Sequence, residues 1–328
     1  MQTRMRTVVR VLLAAWLGAM PPAFAGELFV ATPLTAPHGF TAGIEGPAVD
    51  AAGNIHAVNF ARQQTIGIVA PDGTARVLLA LPGKAVANGL RFGRDGTLYV
   101  ADYVGHAILR VAPGGNTAVP FAHEPSMSQP NDIAITAGGV LYASDPDWQR
   151  GTGRIWRIDT TGHVTLAASG LGTTNGIEVS PDGRTLYVNE SEQRTLRAFT
   201  IGDDGALRDG RLVARFADFG LDGMRADVDG NLYVTRHGKG TVAKLAPDGT
   251  LLREIALPGA RPSNICFGGP DGRTAYVTEV EHGRLLQFRV DRPGLEWQRL
   301  HGPAPGEASG PAGHRQVSAS LNKVKSAR

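Results

Sequence analysis

One phrase is written six times along this chain. Aligned on its turn, it runs over residues 44–59, 87–102, 130–145, 174–189, 221–236 and 262–279, the last copy with one extra residue before the turn. Each copy opens on a polar residue and passes through alternating apolar positions to a turn such as Pro181-Asp182-Gly183. It then continues into a second apolar run such as Leu98-Tyr99-Val100. That is the pattern of a β-hairpin. The opening polar residues are Glu45, Asn88, Asn131, Asn175, Asp222 and Ser263, at intervals of 43, 43, 44, 47 and 41 residues. A second set of turns, Pro71-Asp72-Gly73, Pro113-Gly114-Gly115, Thr160-Thr161-Gly162, Asp203-Asp204-Gly205 and Pro247-Asp248-Gly249, follows the first five copies. Two hairpins per period of low-forties length, with no helical stretch, predict an all-β chain: a six-bladed β-propeller of four-stranded blades.

Repeats that bury their faces only by stacking do not divide into independent units, so residues 26–300 are expected to form a single domain. The last copy lacks an obvious fourth strand. Two segments compete for the place: Glu27 to Ala31 from the N-terminus, and Leu295 to Leu300 after Asp291-Arg292-Pro293-Gly294. The N-terminal strand is favoured, because chain drawn from both ends closes the ring and removes an exposed sheet edge. The topology also sorts the loops. Turns within each hairpin carry repetitive Asp-Gly chemistry, whereas the loops between hairpins share the face of the opening polar residues. That second set is chemically varied, with Asn59, Tyr103, Asp145 to Arg150 including Trp148, Asn189-Glu190, His237 and Glu279 to His282. Varied polar loops on a rigid scaffold are where a binding site is expected.

The ends are of a different character. Arg4, Arg6 and Arg10, an apolar run from Val8 to Met20 and Ala23-Phe24-Ala25 predict a signal peptide over residues 1–25 and a periplasmic or secreted protein. The run is too short to span a bilayer, which takes about 20 residues. Without its three arginines, the 33 basic and 30 acidic residues of the whole chain balance. The basic character therefore gives no reason to expect a nucleic-acid partner. Residues 301–328, rich in Gly, Ala, Pro and Ser and holding Arg315, Lys323, Lys325 and Arg328, are expected to be a disordered tail. The single cysteine, Cys266, allows no intramolecular disulfide and sits in an apolar strand pattern as a small buried hydrophobe. A monomer is expected.

In a six-bladed ring, equivalent residues lie about 60° apart around one axis, so side chains from different blades can converge. Glu45, Asn131, Asn175 and Asp222 would together offer oxygen donors and two negative charges. Such a set suits a divalent cation, Ca²⁺ first, with Mg²⁺ or Mn²⁺ next and Zn²⁺ less so. An Asn or Asp at the head of a strand also satisfies turn backbone with its own side chain. That reading explains the set less well, since the polar residue changes from copy to copy while the surrounding pattern repeats. Asn88 and Ser263 are assigned to water or substrate contacts. His123, His237 and His282 are loop histidines within the range of a general base, and Trp148 offers either an apolar wall or a loop anchor.

The segments Ile44-Glu45-Gly46-Pro47, Ser128-Gln129-Pro130-Asn131-Asp132-Ile133, Thr173-Thr174-Asn175-Gly176-Ile177, Leu221-Asp222-Gly223-Met224 and Pro262-Ser263-Asn264-Ile265 resemble the senescence marker protein (regucalcin), gluconolactonase and luciferin-regenerating enzyme family. The resemblance covers roughly residues 43–290. It implies a divalent cation held by Glu45, Asn175 and Asp222, with Asn131 a ligand in some members and a substrate contact in others. It also implies hydrolysis of a small lactone or ester, typically a sugar lactone. Gln129 stands where regucalcin has a sugar-contacting arginine, and is taken as a substrate-binding position. The expected mechanism has the cation polarise the carbonyl while Asp222 accepts a proton or positions water. Two other readings remain: a non-catalytic propeller that binds a partner, and a ring-opening lyase like the one that acts on streptogramins.

Overall fold

The computed structural model describes residues 27–302; the expected signal peptide and almost all of the expected tail lie outside the described residues. Six four-stranded antiparallel sheets make up the fold. The inner strands are Ala48–Val49, Ala87–Phe92, Ile133–Ile135, Thr174–Val179, Met224–Ala226 and Pro262–Gly268, each from one copy of the repeat. Each pairs with the strand across its own turn, as Glu178 does with Tyr187 and Leu90 with Val100. The chain is thus the six-bladed propeller expected from the period.

Burial decreases outward within a blade. In the fourth blade the inner strand is buried throughout, whereas the outermost strand, Leu207–Arg215, is mostly exposed. Inner strands are covered by blades on both sides, and outer ones face water on one. Neighbouring blades share their apolar faces, as where Ala134, Tyr142 and Ile155 of the third pack with Ile177, Val179, Leu186 and Val188 of the fourth. Each such large side chain contributes about 1.5–3 kcal/mol when fully buried, which is why the repeats are stable only as a ring. Cys266 is fully buried in one of these clusters, beside Ile44 and Tyr276.

The N-terminal chain does close the ring, a little later than expected. Thr32 and Pro33 pair antiparallel with Gln287 and Leu286. Only Leu28 of the Glu27 to Ala31 segment makes a bridge, to Arg289 in parallel. Phe29, at φ 66°, turns the chain out of extended geometry there. A proline is tolerated in the closing strand because that strand lies at an outer edge.

The competing segment is a helix, Leu295–His301, which corrects the expectation of a chain without helical structure. Its residues are good helix formers without a β-branched side chain, Glu296 lies in its first turn and Arg299 and His301 in its last, all favourable to the helix dipole. Its placement matters for the site. Glu296 contacts Arg91 at 3.3 Å and the Phe267 amide at 2.5 Å. Arg299 donates to the Ile135 and Val179 carbonyls at 2.9 and 3.3 Å, and His301 reaches the Ala51 carbonyl at 3.3 Å. With Arg225 at 3.7 Å from Glu296, the helix touches all six blades. It lies across the tunnel mouth opposite the opening polar residues and leaves access from the other face. No helix among the described residues is long and apolar enough to cross a membrane.

Candidate metal centre and catalytic pocket

The open end of the tunnel is a cavity of about 740 Å³. Its wall includes Glu45, Asn88, Asn131, Asn175, Asp222 and Ser263, one residue from the head of each inner strand. The convergence has a backbone cause. The glycine after several of these residues donates to the next blade's opening residue, Gly89 N to Asn131 O at 2.7 Å and Gly176 N to Asp222 O at 3.2 Å. A Cβ at Gly89 or Gly176 would stand 2.6 or 2.5 Å from those carbonyl oxygens, so no other residue permits the approach. The glycine is therefore the closure that brings neighbouring strand heads together, as well as part of a turn signal.

Within this ring of residues the polar atoms are unevenly satisfied. The Asn175 amide nitrogen donates to Ser191 Oγ at 3.1 Å, and Glu45 accepts from the Gly46 amide at 2.6 Å and from Asn264 Nδ2 at 2.9 Å. The Oδ1 atoms of Asn131 and Asn175 are buried with no hydrogen-bond partner. Leaving a buried acceptor unpaired costs about 1–3 kcal/mol, and here two occur beside two carboxylates. Burial pushes the Glu45 carboxyl up to about 7, against the lowering effect of Gly46 and Asn264. Burial, then the charge of Glu45, raises Asp222 well above the usual carboxylate range. Two crowded carboxylates and two orphaned amide oxygens form a donor set that lacks positive charge. A hard divalent cation fits it.

Around the polar floor stand residues from the loops between hairpins: Tyr103, Trp148, Ser191 and His237. Phe219 joins them from the connection between the fourth and fifth blades. Burial, and then the nearby Arg261, lowers the His237 imidazole below its ordinary value and so favours the neutral ring. His282 is turned instead to Glu279, with Nδ1 2.8 Å from Oε2, and neither it nor His123 lines the cavity. Gln129 does not line it either. Its amide donates to Asp145 Oδ1 at 2.6 Å, in a loop that this buried carboxylate also ties through Ser128 and Trp156. The Asp145 knot fixes the backbone of the segment leading into Asn131, and the Gln129 side-chain oxygen is buried there without a hydrogen-bond partner. Glu279, Glu281 and His282 form a second carboxylate–histidine group, but Glu279 already accepts from the Glu281 and His282 amides, with Arg284 Nε at 3.5 Å.

A model of the SMP-30/gluconolactonase/LRE-like region matches residues 44–281. The chain belongs to that family. The matched stretch runs from just before Glu45 through the last hairpin, and so includes all six residues at the strand heads. The gluconolactonase of Zymomonas mobilis is 30% identical over 217 residues, 58% of this chain and 60% of that protein. The pentonolactonase of Haloferax volcanii is 31% identical over 199 residues, 59% of this chain and 67% of that protein. The chain thus spans about 60% of the length of the first of these relatives. A solved gluconolactonase from Xanthomonas campestris superimposes with a TM-score of 0.67 at 25% identity, over 79% of this chain and 89% of that one.

Two contributors to this candidate site are not apparent from the repeat alone. Asn264 holds Glu45, and Ser191 holds Asn175. In sequence Asn264 is marked only by its place directly after Ser263, and the register shift between Pro262 and Asn264 is seen only in the structure; Ser191 carried no signal, because its role depends on how the blades pack.

Proposed function

We propose that the chain is a divalent-cation-dependent hydrolase that opens the ring of a small lactone, or cleaves a related ester, in the pocket at the tunnel mouth. The observation that carries this reading is the pair of partnerless buried oxygens on Asn131 and Asn175 beside the Glu45 and Asp222 carboxylates. Names of relatives in the same family, a gluconolactonase and a pentonolactonase, support the lactone as substrate class. Glu45, Asn131, Asn175 and Asp222 would hold the cation, with Ca²⁺ the best match to an all-oxygen set. A cation bound there supplies Lewis acidity toward a carbonyl oxygen and makes water more acidic. Asp222 lies on the cavity wall, where its carboxylate is placed to orient a water molecule and take its proton. Asn88 and Ser263 complete the polar floor, although Asn88 Nδ2 is shared with the Asn131 carbonyl at 3.3 Å and Ser263 Oγ with the Ile44 carbonyl at 2.9 Å. The arginine-rich N-terminal segment supports export to the periplasm or medium.

The test is to strip divalent cations from the purified protein and follow lactone turnover by mass spectrometry. Hydrolysis should vanish, return with Ca²⁺, Mn²⁺ or Zn²⁺, and give a product one water heavier than the substrate. Full activity of a cation-free preparation would sink the proposal. An isomeric product of unchanged mass would instead point to a lyase, for which His237 is the histidine that lines the pocket.

The same carboxylates set a pH dependence. The folded, cation-free chain keeps the Glu45 proton up to about 7, above its ordinary value of 4.5. A raised acid favours folding only while protonated, so its contribution is present at low pH and is lost as pH climbs from about 4.5 to about 7. Thermal melts of the cation-free protein should show Tm falling across that window, and saturating cation should flatten the fall. A rising Tm without cation would contradict the assignment.

A further inference from the structure

The pocket changes chemistry from floor to rim. Asn131, Asn175 and Ser263 are buried at the polar floor, whereas the outer wall is aromatic, with Tyr103, Trp148 and Phe219 contributed by three separate loops. Phe219 is the least conventional of the three. It is 47% exposed and has φ 45°, a left-handed conformation that a bulky residue adopts only where its surroundings impose it. It belongs to none of the apolar clusters between blades; Gly238 leaves room for it, since a Cβ there would stand 3.1 Å from the Phe219 Cδ1. Strain held for an exposed aromatic side chain on a cavity wall is not accounted for by packing, and strained residues of this kind gather at ligand sites. The charged groups of the wall do not compensate. Arg194 and Glu192 are exposed at its margin, and Arg194 already donates to the Ala217 carbonyl at 3.0 Å. Gln129 does not line the cavity.

We propose that the collar of Tyr103, Trp148 and Phe219 selects a lactone or ester bearing an aromatic or similarly flat apolar group over a polyhydroxylated sugar lactone. This rests on the hydrolase reading and names its substrate class. The reactive carbonyl goes to the polar floor and the apolar group lies between aromatic faces, where removing it from water favours binding. A sugar lactone in the same place would exchange water for aromatic carbon around its hydroxyls, each of which needs a partner once buried.

The experiment compares kcat/KM for 3,4-dihydrocoumarin, δ-valerolactone and glucono-δ-lactone in the cation-loaded protein. In parallel, binding of 2-tetralone and of cyclohexanone is followed by tryptophan fluorescence. Expected are a preference of about tenfold or more for dihydrocoumarin over glucono-δ-lactone, in the range a hydrophobic pocket discriminates, and binding of 2-tetralone in preference to cyclohexanone. Trp148→Ala and Phe219→Ala should each lower the dihydrocoumarin to δ-valerolactone ratio several-fold through KM. Preference for glucono-δ-lactone, or variants that leave the ratio untouched, overturns the collar while the hydrolase reading stands. If no lactone is turned over but 2-tetralone still binds selectively, and loses that selectivity in Phe219→Ala, the hydrolase reading falls and the collar remains.

Discussion

Asp222→Ala is expected to lower lactone hydrolysis on the order of 10³-fold or more, because under the proposed function it would remove both a cation-holding oxygen and a base. The fold should tolerate the change. The Asp222 backbone carbonyl, not its side chain, receives the Gly176 amide and the Asn189 side-chain amide that join the fourth and fifth blades. Its carboxyl is also raised by burial and by Glu45, so the cation-free variant should melt no lower than the parent. Isothermal titration with Ca²⁺ alongside kinetics separates the two roles. Asp222→Asn retains an oxygen donor but no base. Cation affinity kept while turnover is lost would assign Asp222 as the base, and parallel loss of both would make it a ligand alone. Wild-type turnover in Asp222→Ala would remove Asp222 from the mechanism.

Arg225→Met is expected to cost about 3–5 kcal/mol in stability, the price of breaking a buried ion pair from one side. Arg225 is fully buried beneath the pocket and reaches Asp132 at 2.7 Å and Glu296 at 3.7 Å. Burial works against its charge, and the Asp132 and Glu296 carboxylates more than offset that effect. Removing the guanidinium leaves Asp132, also fully buried, with an uncompensated charge under the site and frees one of the helix's links to the ring. Equilibrium urea unfolding measures the loss. Adding Asp132→Asn to Arg225→Met should recover part of it, since the orphaned charge goes too; strict additivity of the two changes would show that the pair is not coupled.

These two effects belong to different levels of legibility. Asp222 could be picked out from the chain because six copies of one phrase allow a residue to be compared with its equivalents. Glu45, Asn131, Asn175 and Asp222 stand out as variable heads on repeated strands, and the period itself sets how many blades share the axis. The Asp132–Arg225 pair offered no such sign. Those residues lie 93 positions apart, and in sequence each reads as a charge interrupting an apolar strand. Their contact exists only because the inner strands of the third and fifth blades, on either side of the fourth, border the same tunnel.

The C-terminal helix marks the same boundary. Residues 295–300 follow the turn-like Asp291-Arg292-Pro293-Gly294, and the ring had one strand position to fill. Thr32 and Pro33 take that position, and the segment is free to become a helix that meets all six blades with Glu296, Arg299 and His301. Gln129 shows the converse. Its place two residues before Asn131 suggested a substrate contact; the Asp145 carboxylate holds its backbone in a local knot, and Gln129 is not among the residues lining the cavity.

What the sequence determined by itself was therefore what repetition encodes: strand spacing, turn chemistry, blade number and the identity of the residues that head each blade. Only the tertiary structure decided which end of the tunnel is sealed, which buried charges meet beneath the site, which amide oxygens lack partners and which aromatics surround the opening. Those depend on contacts between residues tens to hundreds of positions apart, whose energies come from burial and geometry that no local pattern carries.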